Sequence, residues 1–328
     1  MKRRAACLVA LLLVTAPSAT AQEPAAEPPS APQAQASDTT WLGLSLRAGL
    51  IDGGRTYVGR GQRLVVDGDV RSYMSRQRVA VEFLRGNRTV ASKSVPIKRA
   101  RGGRGKFVLR LKSARTGRYT IRAVHRETRT QRWFASKMSV RAISPKSSFG
   151  ATGTNVRLLQ RGLRYHGYVA PLNGHFDSAT ARAVLAFRKV NGMQRNSRAS
   201  GPVYAALLRK SGGYRLRYPG AGKHVEFDWS RQVLVLARGG RAERIYHTSS
   251  GKPSTPTVFG TFRFYRKAPG TNSLGMVYSS YFIRGYAIHG YHSVPTYPAS
   301  HGCLRVPIPD AVSIYNWIDH GDTIFAYR

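Results

Sequence analysis

This chain of 328 residues carries near its C-terminus the stretch Ser300-His301-Gly302-Cys303-Leu304-Arg305, which most restricts the fold and chemistry of the surrounding segment. A thiol with an ordinary pKa of about 8.5 is mostly protonated at neutral pH and needs a base or an electropositive pocket to become a nucleophile. His301, His289 and Arg305 offer such surroundings. Gly302 leaves room for a substrate carbonyl and leaves backbone N–H groups free for an oxyanion. The stretch therefore predicts a nucleophilic cysteine.

Two other interpretations of these side chains stay open. Residue types that zinc accepts stand at His289, His292, His301 and Cys303. The spacing of His301 and Cys303, two residues apart, is unusual for a zinc knuckle, so the site is expected to need no metal. The same side chains could also be packed in a core without a chemical role.

The segment 222–328 resembles the YkuD-type L,D-transpeptidases of bacterial cell walls. It has that family's first element, His289-Gly290, and its second, Ser300–Arg305. The stretch Ser250–Phe262 is similar to the family's Gly-Lys…Thr-Pro-Thr…Gly-Thr-Phe stretch. The resemblance implies a mostly-β catalytic domain and an acyltransferase that uses a cysteine and no cofactor.

The resemblance also implies a reaction. Cys303 would attack the carbonyl of the third residue, a diamino acid, of a peptidoglycan stem tetrapeptide and release D-Ala. An amine of a second stem would then resolve the thioester as a cross-link, which is a step of cell-wall biogenesis. His289 would accept and return the proton.

Supporting roles follow from the same resemblance. The N–H groups of Gly302 and Cys303 would hold the oxyanion, His301 would orient the loop or the substrate, and Arg305 would bind a substrate carboxylate. The Gly290 carbonyl would fix the tautomer of the catalytic histidine, and Ser300 would support the loop.

Other function classes compete with this one. Water as acceptor would give an L,D-carboxypeptidase, and a decayed catalytic unit would give a non-catalytic cell-wall-binding protein. A secreted cysteine protease of the papain type is disfavoured because its Cys-Gly-Ser-Cys-Trp surroundings are missing.

Residues 151–211 follow a linker at 144–150 and show helical periodicity. They resemble the peptidoglycan-binding module often fused to cell-wall enzymes, through Gly153–Leu163 and Asn173–Phe187. The resemblance implies a small three-helix bundle that binds peptidoglycan. A three-helix spacer that binds nothing is the alternative.

Residues 41–143 alternate between apolar and polar positions, as in Arg63–Val70 and Tyr119–Val124, with turn residues between the runs. Such spacing predicts an antiparallel, immunoglobulin-like β-sandwich. The whole chain is therefore expected to be multidomain and mainly β.

The N-terminal residues have the pattern of an export signal. Basic residues, a short apolar run and Ala19-Thr20-Ala21 predict a signal peptide over 1–21, and 22–40 is a Pro/Ala-rich tether. We expect export to the periplasm, the cell wall or the outside, with no transmembrane segment. Cleavage would remove Cys7 and leave Cys303 as the one thiol.

The charge balance restricts the partners. The chain has 53 Lys+Arg against 15 Asp+Glu, a net charge of +38, and residues 41–147 alone carry 26 basic and 5 acidic residues. Besides stem peptides, such a protein is expected to attract anionic wall polymers. Nucleic acid is not expected, since no RNA-binding aromatic signature or phosphate loop is present. The sequence carries no signal for an oligomeric state. The chain has only two cysteines, and this low number excludes a disulfide-rich scaffold and cysteine-rich metal modules.

Overall fold

A computed structural model describes residues 41–129 and 132–328 of the chain. The predicted signal peptide and tether, 1–21 and 22–40, lie outside the described residues. In the described part no helix is both long and apolar enough to cross a membrane.

The first region is built from strands; along Arg63–Val70, for example, every second residue is buried. The strands are β1 (Leu42–Leu46), β2 (Leu50–Asp52), β3 (Arg55–Gly59), β4 (Arg63–Val70), β5 (Arg78–Arg85), β6 (Arg88–Pro96), β7 (Lys98–Arg99), β8 (Gly105–Lys112), β9 (Gly117–His125) and β10 (Phe134–Ile143).

These strands form a four-stranded sheet, β1-β4-β8-β7, and a six-stranded sheet, β2-β3-β10-β9-β5-β6. Residues of both sheets, such as Leu64 and Ile121, bury their side chains in one core. The prediction of a purely antiparallel arrangement is wrong at β3 and β10, which pair in parallel. Strands so far apart in sequence need no hairpin between them and can run in the same direction. The immunoglobulin-like strand arrangement stays a prediction.

Three helices follow, and their core is shared with strands on both sides. The helices are α1 (Thr154–Tyr165), α2 (Ser178–Val190) and α3 (Gly201–Leu208). Asp177 caps α2, its side chain accepting from the N–H of Thr180 at 2.8 Å. Leu50 of the first region, and Val235 and Ile245 of the last, pack into the same core as the helices. The helices therefore bury apolar surface against their neighbours as well as each other, and a self-contained three-helix bundle stays a prediction.

The C-terminal region is mostly β, as predicted. It contains β11 (His224–Asp228), β12 (Val233–Arg238), β13 (Arg241–His247), β14 (Gly260–Arg263), β15 (Arg266–Thr271), β16 (Val277–Ile283), β17 (Tyr286–Tyr291), β18 (Leu304–Pro307), α4 (Ile308–Trp317) and β19 (Thr323–Tyr327). Its sheets have the orders β13-β12-β11-β19-β14 and β15-β16-β17-β18. The candidate site lies on the second sheet, where β17 and β18 run parallel.

Candidate active site

The pairing of β17 with β18 brings the candidate residues to one face of the sheet. His289 is the register partner of Arg305, so the two side chains point to the same face. Cys303 comes two residues before Arg305, immediately ahead of β18, and packs against a cluster that contains Ala287. Ala287 lies two residues before His289 on β17 and therefore on the same face of the sheet. The histidine on β17 and the thiol just ahead of β18 are thus placed on one face.

His289 is buried, with only 3% of its surface exposed. Its Nδ1 lies 2.9 Å from the carbonyl oxygen of Gly290. Because a carbonyl oxygen only accepts, Nδ1 carries the proton and Nε2 is left with a free lone pair. Burial lowers the pKa of His289; the Gly290 contact acts against this shift, and the charge of Arg305 adds to it. The imidazole is therefore held neutral, with Nε2 available as a base.

Cys303 is half-buried and packs beside Met276, Tyr281 and Ala287. Its Sγ lies 3.6 Å from the carbonyl oxygen of Gly285. Burial raises the pKa of the Cys303 thiol, while a backbone hydrogen bond of Ala287 and the charge of Arg305 act in the opposite direction. The group is a protonated thiol at neutral pH, so it needs a base before it can react.

Ser300 organises the loop that precedes the thiol. Its Oγ accepts from the N–H of Gly302 at 3.0 Å and donates to the carbonyl oxygen of Cys303 at 2.6 Å. The expectation that the Gly302 N–H is free for an oxyanion is wrong in this arrangement, because the neighbouring hydroxyl already occupies it. The Cys303 N–H is the remaining donor from the predicted pair.

The segment Ser250–Thr257 holds the same loop from outside. Thr257 Oγ1 donates to the carbonyl oxygen of Gly302 at 2.6 Å, and Thr255 Oγ1 donates to that of Ser300 at 3.0 Å. The N–H of Lys252 also donates to the Ser300 carbonyl, at 2.9 Å. The sequence pointed to this segment by resemblance, but its hydroxyls as loop supports emerge only from the structure.

Gly302 is fixed by two constraints. Its φ of +116° lies in a region that residues with a side chain rarely adopt. A Cβ at this position would meet Cε1 of Tyr286 at 2.3 Å. The tyrosine ring therefore occupies the space that any side chain here would need.

The remaining predicted residues have less defined contacts. The side chain of His301 is exposed. Arg305 places its guanidinium carbon 4.1 Å from the centre of the Tyr291 ring, a cation–π contact. The charge of Arg305 acts on the Cys303 thiol.

The alternative zinc site is not assembled. Across 41–129 and 132–328, no three His, Cys, Asp or Glu side chains come close enough together to hold a metal ion.

Comparison with protein families gives two matches. Residues 222–325 match a profile described as an L,D-transpeptidase catalytic domain. Residues 152–207 match a profile described as a putative peptidoglycan binding domain. A comparison with curated proteins found no match.

Solved structures include similar proteins. The L,D-transpeptidase (residues 123–326) from Xylanimonas cellulosilytica is 33% identical, with a TM-score of 0.52, over 56% of this chain and 97% of that one. An L,D-transpeptidase from Stackebrandtia nassauensis is 19% identical (TM-score 0.35; 56% of this chain, 95% of that one). One from Mycobacterium smegmatis is 12% identical (TM-score 0.30; 88% of this chain, 100% of that one).

Proposed function

Because the chain belongs to the L,D-transpeptidase family, we propose that it is an exported enzyme that cross-links peptidoglycan stem peptides through a thioester on Cys303. The observation that carries the proposal is the pair on one sheet face: a protonated thiol and a neutral His289 whose Nε2 lone pair is free. Burial disfavours both the thiolate and the imidazolium, so the proton is transferred as the thiol attacks.

The first half-reaction forms the thioester. Sγ of Cys303 bonds to the carbonyl carbon of the third stem residue, and its proton passes to Nε2 of His289. The resulting oxyanion is held by the Cys303 N–H, while Ser300 keeps the loop in place. The C–N bond then breaks, the imidazolium returns the proton to the leaving amine, and D-Ala departs.

The second half-reaction resolves the thioester. A side-chain amine of a second stem attacks the carbonyl, the C–S bond breaks, and the proton released from the amine restores the thiol through His289. Arg305 is suited to hold a carboxylate of the donor, and the exposed His301 to orient it. With water in place of the amine, the product would be a shortened stem.

Product analysis tests this proposal. Protein lacking residues 1–21 is incubated with a disaccharide-tetrapeptide, and the products are separated and weighed by mass spectrometry. We expect a cross-linked dimer and free D-Ala. A disaccharide-tripeptide without dimer indicates a carboxypeptidase, and unchanged substrate favours the non-catalytic wall-binding alternative.

Gly302→Ala tests the loop geometry. Strain at the positive φ is expected to cost about 1–3 kcal/mol. Displacing the thiol by the clash with Tyr286 is expected to lower turnover by about 10²-fold. Gly321→Ala is the matched control, because its φ is +82° but nothing lies within 4 Å of the added Cβ. Turnover and melting temperature are measured for both; equal turnover losses would refute the role of the tyrosine contact.

We further propose that the first region binds an anionic wall polymer. Six exposed cations line one groove of about 780 Å³ between its sheets, the arginine groove: Arg63, Arg85, Arg88, Arg110, Lys112 and Arg115. Within the described ranges none of the six forms a salt bridge. Acidic side chains of this region pair with other cations, as Asp67 does with Arg47 at 2.6 Å. The groove's charge is left for a ligand, and guanidinium groups suit phosphate oxygens.

The arginine groove is tested with a fluorescent polyphosphate chain as the probe. Replacing Arg63, Arg88 and Arg110 together by Gln should weaken binding and reduce its dependence on salt. Replacing Arg55, Arg101 and Arg141, which are exposed and lie outside the groove, removes the same charge and should have a smaller effect. Equal effects would mean that net charge, not the groove, binds the polymer.

A further inference from the structure

Lys189, near the C-terminal end of α2, is a buried cation that the proposed reaction does not use; only 3% of its surface is exposed. Its Nζ donates to the carbonyl oxygens of Gln232 and Thr248, each at 3.0 Å, and lies 2.7 Å from Nδ1 of His247. Nε2 of His247 lies 2.9 Å from the carbonyl oxygen of Val294. Since that oxygen can only accept, Nε2 carries the proton and Nδ1 accepts from the lysine.

The contacts define the charge of the cluster. Burial, and to a smaller extent the charge of Arg195, lower the pKa of Lys189 below its ordinary value. Three acceptors oppose that shift, because a neutral amine has too few N–H groups to supply all of them. Burial, followed by the neighbouring Lys189, lowers the pKa of His247 to about 3, so the imidazole is neutral. The cluster is best satisfied as an ammonium surrounded by three acceptors.

Gln232 connects this ammonium, through hydrogen bonds, to the loop around Ser300 that precedes Cys303. Its side chain and Ser250 exchange two hydrogen bonds, from Nε2 to Oγ and from the Ser250 N–H to Oε1, each at 2.9 Å. The carbonyl oxygen of Ser250 accepts from the N–H of Ser300 at 2.8 Å. Ser300 in turn bonds to Gly302 and Cys303, so two residues separate the lysine from the loop.

Thr248 and His247 connect the ammonium to two other parts of the same loop, at Arg305 and Val294. Thr248 Oγ1 donates to the carbonyl oxygen of Arg305 at 2.7 Å. The next residue, Ser249, exchanges both backbone hydrogen bonds with Arg305, at 2.9 and 3.0 Å. Through Val294, His247 holds the segment that connects β17 to the loop. The three acceptors of the buried ammonium therefore belong to residues that connect to three parts of this loop: Ser300, Arg305 and Val294.

We propose that Lys189 is a positioning residue for Cys303, and that the helical module thereby completes the catalytic unit. The lysine lies outside the matched catalytic segment of 222–325 and inside the matched segment of 152–207. Removing its ammonium would leave the Thr248 carbonyl oxygen and Nδ1 of His247 without a donor, and the Gln232 carbonyl oxygen with the N–H of Thr248 alone at 3.2 Å, so the loop would be free to move. This inference depends on the proposed function for its turnover readout but not for its thiol readout.

The test uses Lys189→Met, with Lys189→Gln as a milder variant that keeps two N–H donors. Arg182→Met is the matched control. Arg182 lies on the same helix and donates Nε and a terminal nitrogen to the carboxylate of Asp310 on α4, both at 2.9 Å. It joins the same two regions, and its charge acts weakly on His247, but it forms no hydrogen bond to the lysine's acceptors or to the loop. Its replacement therefore removes a neighbouring cation and a contact between the regions while the three acceptors of Lys189 stay paired.

Two readouts are made on each variant after its folding has been checked by circular dichroism. The first is turnover, for which kcat of Lys189→Met is expected to fall by about 10²-fold with little change in KM. The second is iodoacetamide alkylation against pH, followed at the Cys303 peptide by mass spectrometry. A released thiol becomes solvated and its pKa falls toward about 8.5, so alkylation at pH 7 should become faster.

The proposal is supported if Lys189→Met shows faster alkylation in a single exponential phase and slower turnover. The alkylation rate and turnover of Lys189→Gln should then lie between those of Lys189→Met and the unsubstituted protein. Unchanged alkylation in both lysine variants overturns it, and so does an equal response of Arg182→Met. If neither lysine variant folds, the residue serves folding and the positioning role is rejected. Absence of turnover in the unsubstituted protein would reject the proposed function while the alkylation profiles still test the lysine.

Discussion

Cys303→Ala is expected to remove cross-linking, with turnover falling by about 10³-fold or more, because the substitution removes the thiol that forms the acyl intermediate in the proposed reaction. The substitution should cost only about 1 kcal/mol of stability, since the thiol is half-buried at the edge of a small cluster. The change is measured by dimer formation and D-Ala release under conditions in which the unsubstituted protein is saturated. The melting temperature should stay close to that of the unsubstituted protein.

Cys303→Ser serves as the control for shape. It keeps a hydroxyl in the position of the thiol, but an alcohol is a poorer nucleophile and leaving group, so this variant should also be inactive in turnover. Appreciable turnover by the alanine variant would show that the cysteine is not the nucleophile.

His289→Gln is expected to reduce turnover at neutral pH by about 10²–10⁴-fold, the range typical for loss of a general base. In the unsubstituted protein the pKa of His289 lies below its ordinary value, so the base stays neutral and active to lower pH than a free histidine would. Activity should therefore fall on the acid side only below about pH 6.5.

The variant should have a different pH profile as well as a lower rate. Without the base, only the thiolate reacts, and the pKa of Cys303 lies above its ordinary value. The rate should then rise about tenfold per pH unit through the neutral range, because the thiolate fraction does. If turnover of His289→Gln fell at low pH in the same way as turnover of the unsubstituted protein, the assignment of His289 as the base would be contradicted.

The sequence predicted the family, but not the hydrogen bonds that hold the loop before Cys303. The stretch Ser300–Arg305 combines residue types whose reactivity depends on near neighbours in the sequence. The family membership that it indicated is confirmed by the comparisons. The roles of the individual side chains stay predictions. The hydrogen bond that occupies the Gly302 N–H could not be foreseen, because it depends on the rotamer of Ser300.

The role of Lys189 could not be predicted from the sequence pattern. At the end of an amphipathic helix, a lysine is ordinarily a solvated residue that favours the helix dipole. Its three acceptors belong to residues more than forty positions further along the chain, at or next to β12 and β13, and a local pattern does not reveal them. The same holds for the parallel pair β3 and β10, since period-two alternation fixes which face a residue takes but not the direction of the neighbouring strand.

The most direct test of the account is the mass of the intact protein, quenched in acid during turnover of a disaccharide-tetrapeptide. Thioesters survive acid, so the acylated form can be weighed and its position mapped by digestion. We predict a mass increase equal to the donor without its terminal D-Ala, located on the peptide that contains Cys303. An unmodified protein while dimer accumulates, or acylation of a different residue, would contradict the thioester on Cys303.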